Sequence, residues 1–219
     1  MTMPVTSAGQ SVAVMCDKSG NARHMLQLVT AARPVYATDG TSHWLQFDGV
    51  DDSFGASAFG WGSDEASVIF GITRTSDSAI GCLFETSTNS GSSGGTLALF
   101  APNATLNAGV YDFRSKGTAQ VFCTPSGFPA PHSALLTATS KIGSDIARLR
   151  VNGALVSQNA GDQGTGVFGT HPMFIGRRTN SNFPFMGRFY GAILARRVLS
   201  DAELGSSEGW MAGRMGGAA

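Results

Sequence analysis

Short runs in which apolar and polar residues alternate recur from one end of this chain to the other. The clearest are HWLQF (43–47), SVIFGIT (67–73), IGCLFET (80–86), TLALF (96–100), AQVFCT (119–124), ALLTATS (134–140) and PMFIG (172–176), set off by Gly, Asn, Asp, Ser or Pro. A period of two sends successive side chains to opposite faces of a strand. Many short strands separated by turn residues predict a β-sandwich or jelly roll. The strongest hairpin is IARLRVNGALVS (146–157), where Asn152 and Gly153 tolerate the positive φ angles of a type I′ turn. In FMGRFYGAILA (185–195), alternation places Phe185, Phe189 and Ile193 inward with Gly187 and Gly191, and Arg188 and Tyr190 outward. One helix start is written into Ser200-Asp201-Ala202-Glu203, a capping box with Ser200 as N-cap and Glu203 reaching back. Gly205, Gly209 and Gly213 predict a short helix, about 200–212, followed by a tail at 213–219 that is free to move.

Composition agrees with a turn-rich all-β protein. Of 219 residues 42% are hydrophobic, only 14% are charged, and 29 are Gly. No linker, repeat or low-complexity tract divides the chain, which predicts a single domain over 1–219. The formal net charge of +0 gives no global field for nucleic acid or an anionic membrane surface. Residues 171–219 nevertheless carry six Arg against three acids, which suits a solvated face or an anionic-ligand patch. Cys16, Cys82 and Cys123 lack the spacing of a zinc site and are too few for a disulfide framework, so they read as small hydrophobes. No run reaches the roughly 18 apolar residues of a membrane span. MTMPVTSAGQSVAVMC does not read as a secretory signal, so the Asn103 sequon carries no weight.

Few motifs point to chemistry. GTGVFG (164–169) fits GxGxxG, but a strand-like run follows it where a dinucleotide site needs a helix, so it reads as a loop. His24, His43, His132 and His171 never fall at metal-ligand spacing, and no serine lies in a GxSxG elbow. Glycoside hydrolysis needs two carboxylates placed together. The four glutamates, Glu65, Glu85, Glu203 and Glu208, form no such motif, and the chain is expected not to be an enzyme. Two stretches offer ligand-binding side chains. Trp61, among glycines and polar residues in FGWGSDE, would be a stacking platform for a sugar or peptide if exposed, and a packing residue if not. RRTNSNFP (177–184) presents Arg177, Arg178, Asn180 and Asn182 for hydroxyls or carboxylates, or else is a polar hairpin connection. LQFDGVDDSF (45–54) crowds Asp48, Asp51 and Asp52 around Gly49, and reads first as a turn whose acids bond their own backbone.

DKSGNARHMLQ (17–27), AARP (31–34), WLQFDGVDDSF (44–54), FIGRR (174–178), FMGRFYGAIL (185–194), RVLSDAEL (197–204) and EGWMAGRMG (208–216) stand in the order found in one family. Together they resemble the laminin-G-like, concanavalin A-like jelly-roll modules of tailed-phage and prophage virion proteins. The resemblance implies an all-β, two-sheet antiparallel jelly-roll sandwich with a short C-terminal helix seated by Trp210 and Met211. It also implies a place on a virion surface, in a head decoration, head fibre or tail fibre. The work there would be adhesion to host-surface glycan or attachment to other virion proteins. The alternatives are a purely structural homo-oligomer, a trimer among the forms, and a polysaccharide-degrading domain. Relatives usually carry an aromatic-rich strand upstream of the PVTSAGQ-like segment, so by that resemblance either the first strand is missing here or a neighbouring chain supplies it. No cofactor is implied beyond calcium, which such sandwiches often hold between loops and which Asp48, Asp51 and Asp52 would ligate here.

Overall fold

The computed structural model describes residues 4–179 and 182–217. In chain order the strands are β1 (Val14–Met15), β2 (Met25–Leu26), β3 (Val35–Thr38), β4 (His43–Asp48), β5 (Phe54–Ser63), β6 (Glu65–Arg74), β7 (Cys82–Thr86), β8 (Thr96–Phe100), β9 (Asp112–Lys116), β10 (Gln120–Cys123), β11 (His132–Lys141), β12 (Ile146–Val151), β13 (Ala154–Asn159), β14 (Phe168–Ile175) and β15 (Met186–Ala195). Helix α1 comes last, at Asp201–Arg214. The strands form an eight-stranded sheet, β1-β2-β5-β14-β7-β8-β9-β10, and a seven-stranded sheet, β13-β12-β11-β6-β15-β4-β3. Every paired strand runs antiparallel, and the two sheets pack face to face as a jelly-roll sandwich. The fold expected from alternation is the fold observed.

Aromatic rings fill the space between the sheets. Phe47 sits at their centre, with ring centroids 5.9 Å from Phe185, 6.1 Å from Phe189 and 6.3 Å from Phe54, all near edge-to-face. Asn152 and Gly153 take φ of 50° and 79°, the type I′ geometry expected, and join β12 to β13. The Asn152 side chain also accepts from the Leu135 amide at 2.8 Å, which ties the turn to β11.

The helix covers the outer face of the seven-stranded sheet. Leu204, Met211 and Met215 pack against Ile69 of β6 and Leu135 of β11. Gly71 of β6 makes room for it, because a Cβ there would come within 2.9 Å of Met211 Sδ and 3.0 Å of Met215 Sδ. The capping box is present in both directions: Glu203 N–H donates to Ser200 Oγ at 3.4 Å, and Ser200 N–H to Glu203 Oε2 at 2.9 Å.

Strand β15 departs from the expected pattern. Its ladder to β6 slips between Phe189 and Gly191, a bulge that exchanges the two faces of the strand from there to its end. Phe185 and Phe189 face the interior as expected, but beyond the bulge Ala192 and Leu194 pack against the core. Tyr190 and Ile193 lie instead in the layer under α1. Tyr190 faces outward as expected, whereas the inward placing of Gly191 and Ile193 is corrected by this one inserted residue.

Candidate functional site

A groove of about 680 Å³ opens on the edge of the sandwich where both sheets lose neighbours together. In one sheet β4 pairs with β15 only between Leu45–Asp48 and Met186–Phe189, then parts from it at the bulge. In the other, β2 meets β5 at a single pair, Leu26 with Gly55. The floor between them is apolar and includes Met15, Leu45, Ala56, Phe189 and Leu194.

The lips of the groove are aromatic and cationic. On the helix side, Trp210 is 53% exposed, and the Arg214 guanidinium lies 5.1 Å from its ring centroid. Beside it, the β3–β4 hairpin presents Tyr36 and His43, stacked within 10° of parallel and joined by a 2.7 Å hydrogen bond. On the opposite lip the β1–β2 connection presents Lys18, Asn21 and Arg23, and Arg23 covers the Phe59 ring at 4.4 Å. Asp17 organises that connection by accepting from Ser19 N–H at 2.8 Å, Ser19 Oγ at 2.9 Å and Arg23 N–H at 3.0 Å. The Ser19 hydroxyl, then the two amides, hold its carboxyl down at about 2, so it is an anion fixed in its own loop. It is also the single carboxylate that lines the groove among the described residues.

Of the two readings of Trp61, the structure bears out packing and not the platform. Trp61 is 1% exposed, wedged between Phe59 at 5.6 Å and Phe168 at 6.2 Å, and its indole N–H donates to Glu65 O at 2.8 Å. Its neighbours in sequence are polar, but β5 turns position 61 into the sandwich. Trp210 exchanges roles with it. The helix is seated by Leu204, Met211 and Met215, and Trp210 projects to solvent one position off that stripe.

The Arg177–Asn182 loop also differs from its expected use. Arg178 donates through Nε to Glu85 Oε2 at 2.7 Å, with Glu85 fully buried. Its guanidinium packs against Phe183 at 5.0 Å and Phe100 at 5.4 Å. This arginine is committed to closing the outer face of the eight-stranded sheet. Arg177 is half-buried, Asn182 is exposed and exchanges backbone bonds with Arg178, and Asn180 lies outside the described residues. The polar-connection reading describes the loop better than the ligand reading.

The three aspartates do converge, with one oxygen from each of Asp48, Asp51 and Asp52 within 4.8 Å of the others. Asp48 Oδ1 accepts from the amides of Val50 at 2.8 Å and Asp51 at 3.3 Å, and Asp52 Oδ2 accepts from the Asp48 amide at 3.0 Å. The acids are therefore turn-formers, with Asp48 and Asp52 rather than Asp51 as the acceptors. Gly49 supplies a φ of +77°, and a Cβ there would meet Met186 Cβ at 2.8 Å. Burial, aided by the two neighbouring carboxylates, raises Asp52 to about 6. These are the carboxylates that could hold a divalent ion, and such an ion would relieve that crowding.

The residues that shape the groove were not found from sequence. Tyr36 and His43 lie in short strands, Arg23 in a Gly- and Ser-rich turn, and Arg214 at a helix end, so no local pattern joins them. Arg23 meets Phe59 only through the tertiary fold, and the local i,i+4 pair of Trp210 and Arg214 on α1 reaches the groove only once the helix is seated.

No family model matches the sequence, and no curated protein matches it. Solved structures do match the fold. The CBM40 module of the Ruminococcus gnavus IT-sialidase, solved with α2,3 sialyllactose, matches at a TM-score of 0.52 and 20% identity over 75% of this chain and 98% of its own. The heptameric SAP-like pentraxin of Limulus polyphemus matches at 0.58 and 9% identity, over 78% of this chain and 84% of its own. The binding domain of Paraclostridial Mosquitocidal Protein 1 matches at 0.66 and 15% identity over 92% of this chain, which spans half of that domain. At these identities the likeness is one of architecture: this chain has the lectin-like jelly-roll sandwich shared by carbohydrate-binding modules, pentraxins and toxin binding domains.

Proposed function

We propose that this chain is a non-catalytic glycan-binding domain displayed on a tailed-phage or phage-like virion, where it holds a host-surface saccharide against the lip of the groove. The observation that carries this reading is the exposed Trp210 indole with Arg214 beside it, next to the bonded Tyr36–His43 pair. An indole face stacks on the C–H face of a sugar ring, while the guanidinium and the phenol–imidazole pair offer partners to hydroxyls at its rim. Carbohydrate-binding modules on the same sandwich support the ligand class, and the ordered segments from DKSGNARHMLQ to EGWMAGRMG support the virion setting. Among the described residues Asp17 is the one carboxylate that lines the groove, and it is held by its own loop, which favours binding over hydrolysis by a carboxylate pair.

Attachment to another virion protein, a second copy included, is the second reading, and it is favoured by the edge of β15 beyond Phe189, which pairs with no strand on its β4 side among the described residues. The two are separated by incubating the full chain with polysaccharide fractions from host-cell surfaces. Retention on a fraction with no oligosaccharide released is the expected result. Retention on none would remove glycan binding, and release of oligosaccharide would make the domain an enzyme.

A further inference from the structure

We propose that the floor of the groove seats an extended polypeptide strand from another molecule. That strand would carry apolar side chains at alternate positions and an acidic residue where it leaves past Lys18 and Arg23. This goes beyond glycan binding and does not depend on it.

The backbone argues first. From Gly191 to Ala195, β15 is laddered to β6 on one side and to no strand on the other among the described residues. Alternate peptide groups along that edge point into the groove with no backbone partner among the described residues, over a length of about 17 Å for five residues. Across the gap, β5 is likewise unpaired beyond Gly55 on its β2 side. The opening is held at a fixed width, since Arg196, just after β15, donates to the Trp61 carbonyl of β5 at 3.1 Å.

Side chains narrow the class of occupant. Met15, Leu45, Ala56, Ala192 and Leu194 pack on the core yet remain only partly buried, as the side of a core does when one strand is missing. Sandwich interiors are otherwise packed to crystal density, so an open, mostly apolar groove of about 680 Å³ leaves this part of the core without its packing. A saccharide would find few polar groups on this floor, and an acyl chain would leave the β15 amides and carbonyls unpaired. A strand satisfies both surfaces, by adding hydrogen bonds to the edge and alternate side chains to the floor. Charge sets its end. Lys18 and Arg23 make no ion pair among the described residues, and the nearby Asp17 carboxylate is occupied by its own loop. An acidic terminus complements that lip.

The test pans the full chain against randomised ten-residue peptides and synthesises those enriched. Enriched peptides are expected to alternate apolar and polar residues with Asp or Glu near one end, and to slow amide hydrogen exchange at 191–195 at least tenfold. Ala192→Trp, which fills the groove, should lose binding at least tenfold while melting no lower than the parent; if it does not fold, Ala56→Phe serves the same purpose from the opposite wall. K18E/R23E should weaken the acidic peptides and spare versions with the acid replaced by Gln. No enriched peptide, enrichment without protection at 191–195, or unchanged affinity in a folded groove-filling variant would each overturn the proposal.

Discussion

Trp61 and Trp210 differ in what surrounds them far more than in what flanks them in sequence. Trp61 is enclosed by Phe59 and Phe168 and gives its N–H to Glu65, so removing it opens a hole in the sandwich. Trp61→Ala is expected to cost about 3–5 kcal/mol, read as a shift in the denaturant midpoint. Trp210→Ala, at an exposed position, should change that midpoint little. A second residue-scale expectation concerns Asp52, whose carboxyl is raised by burial to about 6 from an ordinary 3.8. The folded state therefore keeps a proton that the unfolded chain has released. Asp52's contribution to stability is fully present below about pH 4, declines as pH rises to about 6, and is lost above that. Asp52→Asn keeps an oxygen for the Asp48 amide, so it should remove this decline and be the more stable of the two at pH 7.5. The difference between the two chains isolates Asp52 from Asp17 and Glu203, each held near 2, whose contributions are lost only toward strong acid. A wild-type midpoint that does not fall relative to D52N between pH 4 and 6.5 would contradict the assignment.

Elements governed by local chemistry were legible in the sequence. The Asn152-Gly153 turn needs two positive φ angles, and the capping box needs Ser200 and Glu203 three apart, so both could be placed before any tertiary contact was known. Strand β5 was not legible, because FGASAFGWGS is mostly small residues and its partner β14 decides its conformation. The β15 bulge was equally hidden, since period two gives no sign of where an extra residue enters the ladder. It matters for the seat of α1, because it turns Gly191 and Ile193 toward the layer that holds Met211. Met211 is fully buried, and Met211→Ala is expected to cost about 2–5 kcal/mol, with loss of helical circular dichroism before the sheets unfold. Concurrent loss of sheet and helix at the parent midpoint would show that the helix is not held there.

At the scale of the whole molecule, the sandwich was readable and its opening was not. Alternation reports which residues face inward, but a groove arises where neighbours are missing, and absence leaves no pattern. The same holds for the site: the sequence-derived candidates Trp61 and Arg178 are spent on packing, and the groove mouth joins four segments distant in sequence. The outcome is a rigid scaffold with one aromatic–cationic lip, Trp210 with Arg214 and Tyr36 with His43, above an apolar floor. The most direct measurement is binding of the full chain and of Trp210→Ala, side by side, to an array of bacterial surface glycans. The parent should bind a restricted set of saccharides, and the variant, equally stable, should lose at least tenfold in affinity for all of them. Equal binding by a folded Trp210→Ala, or no binding by the parent, would contradict a glycan site at this lip.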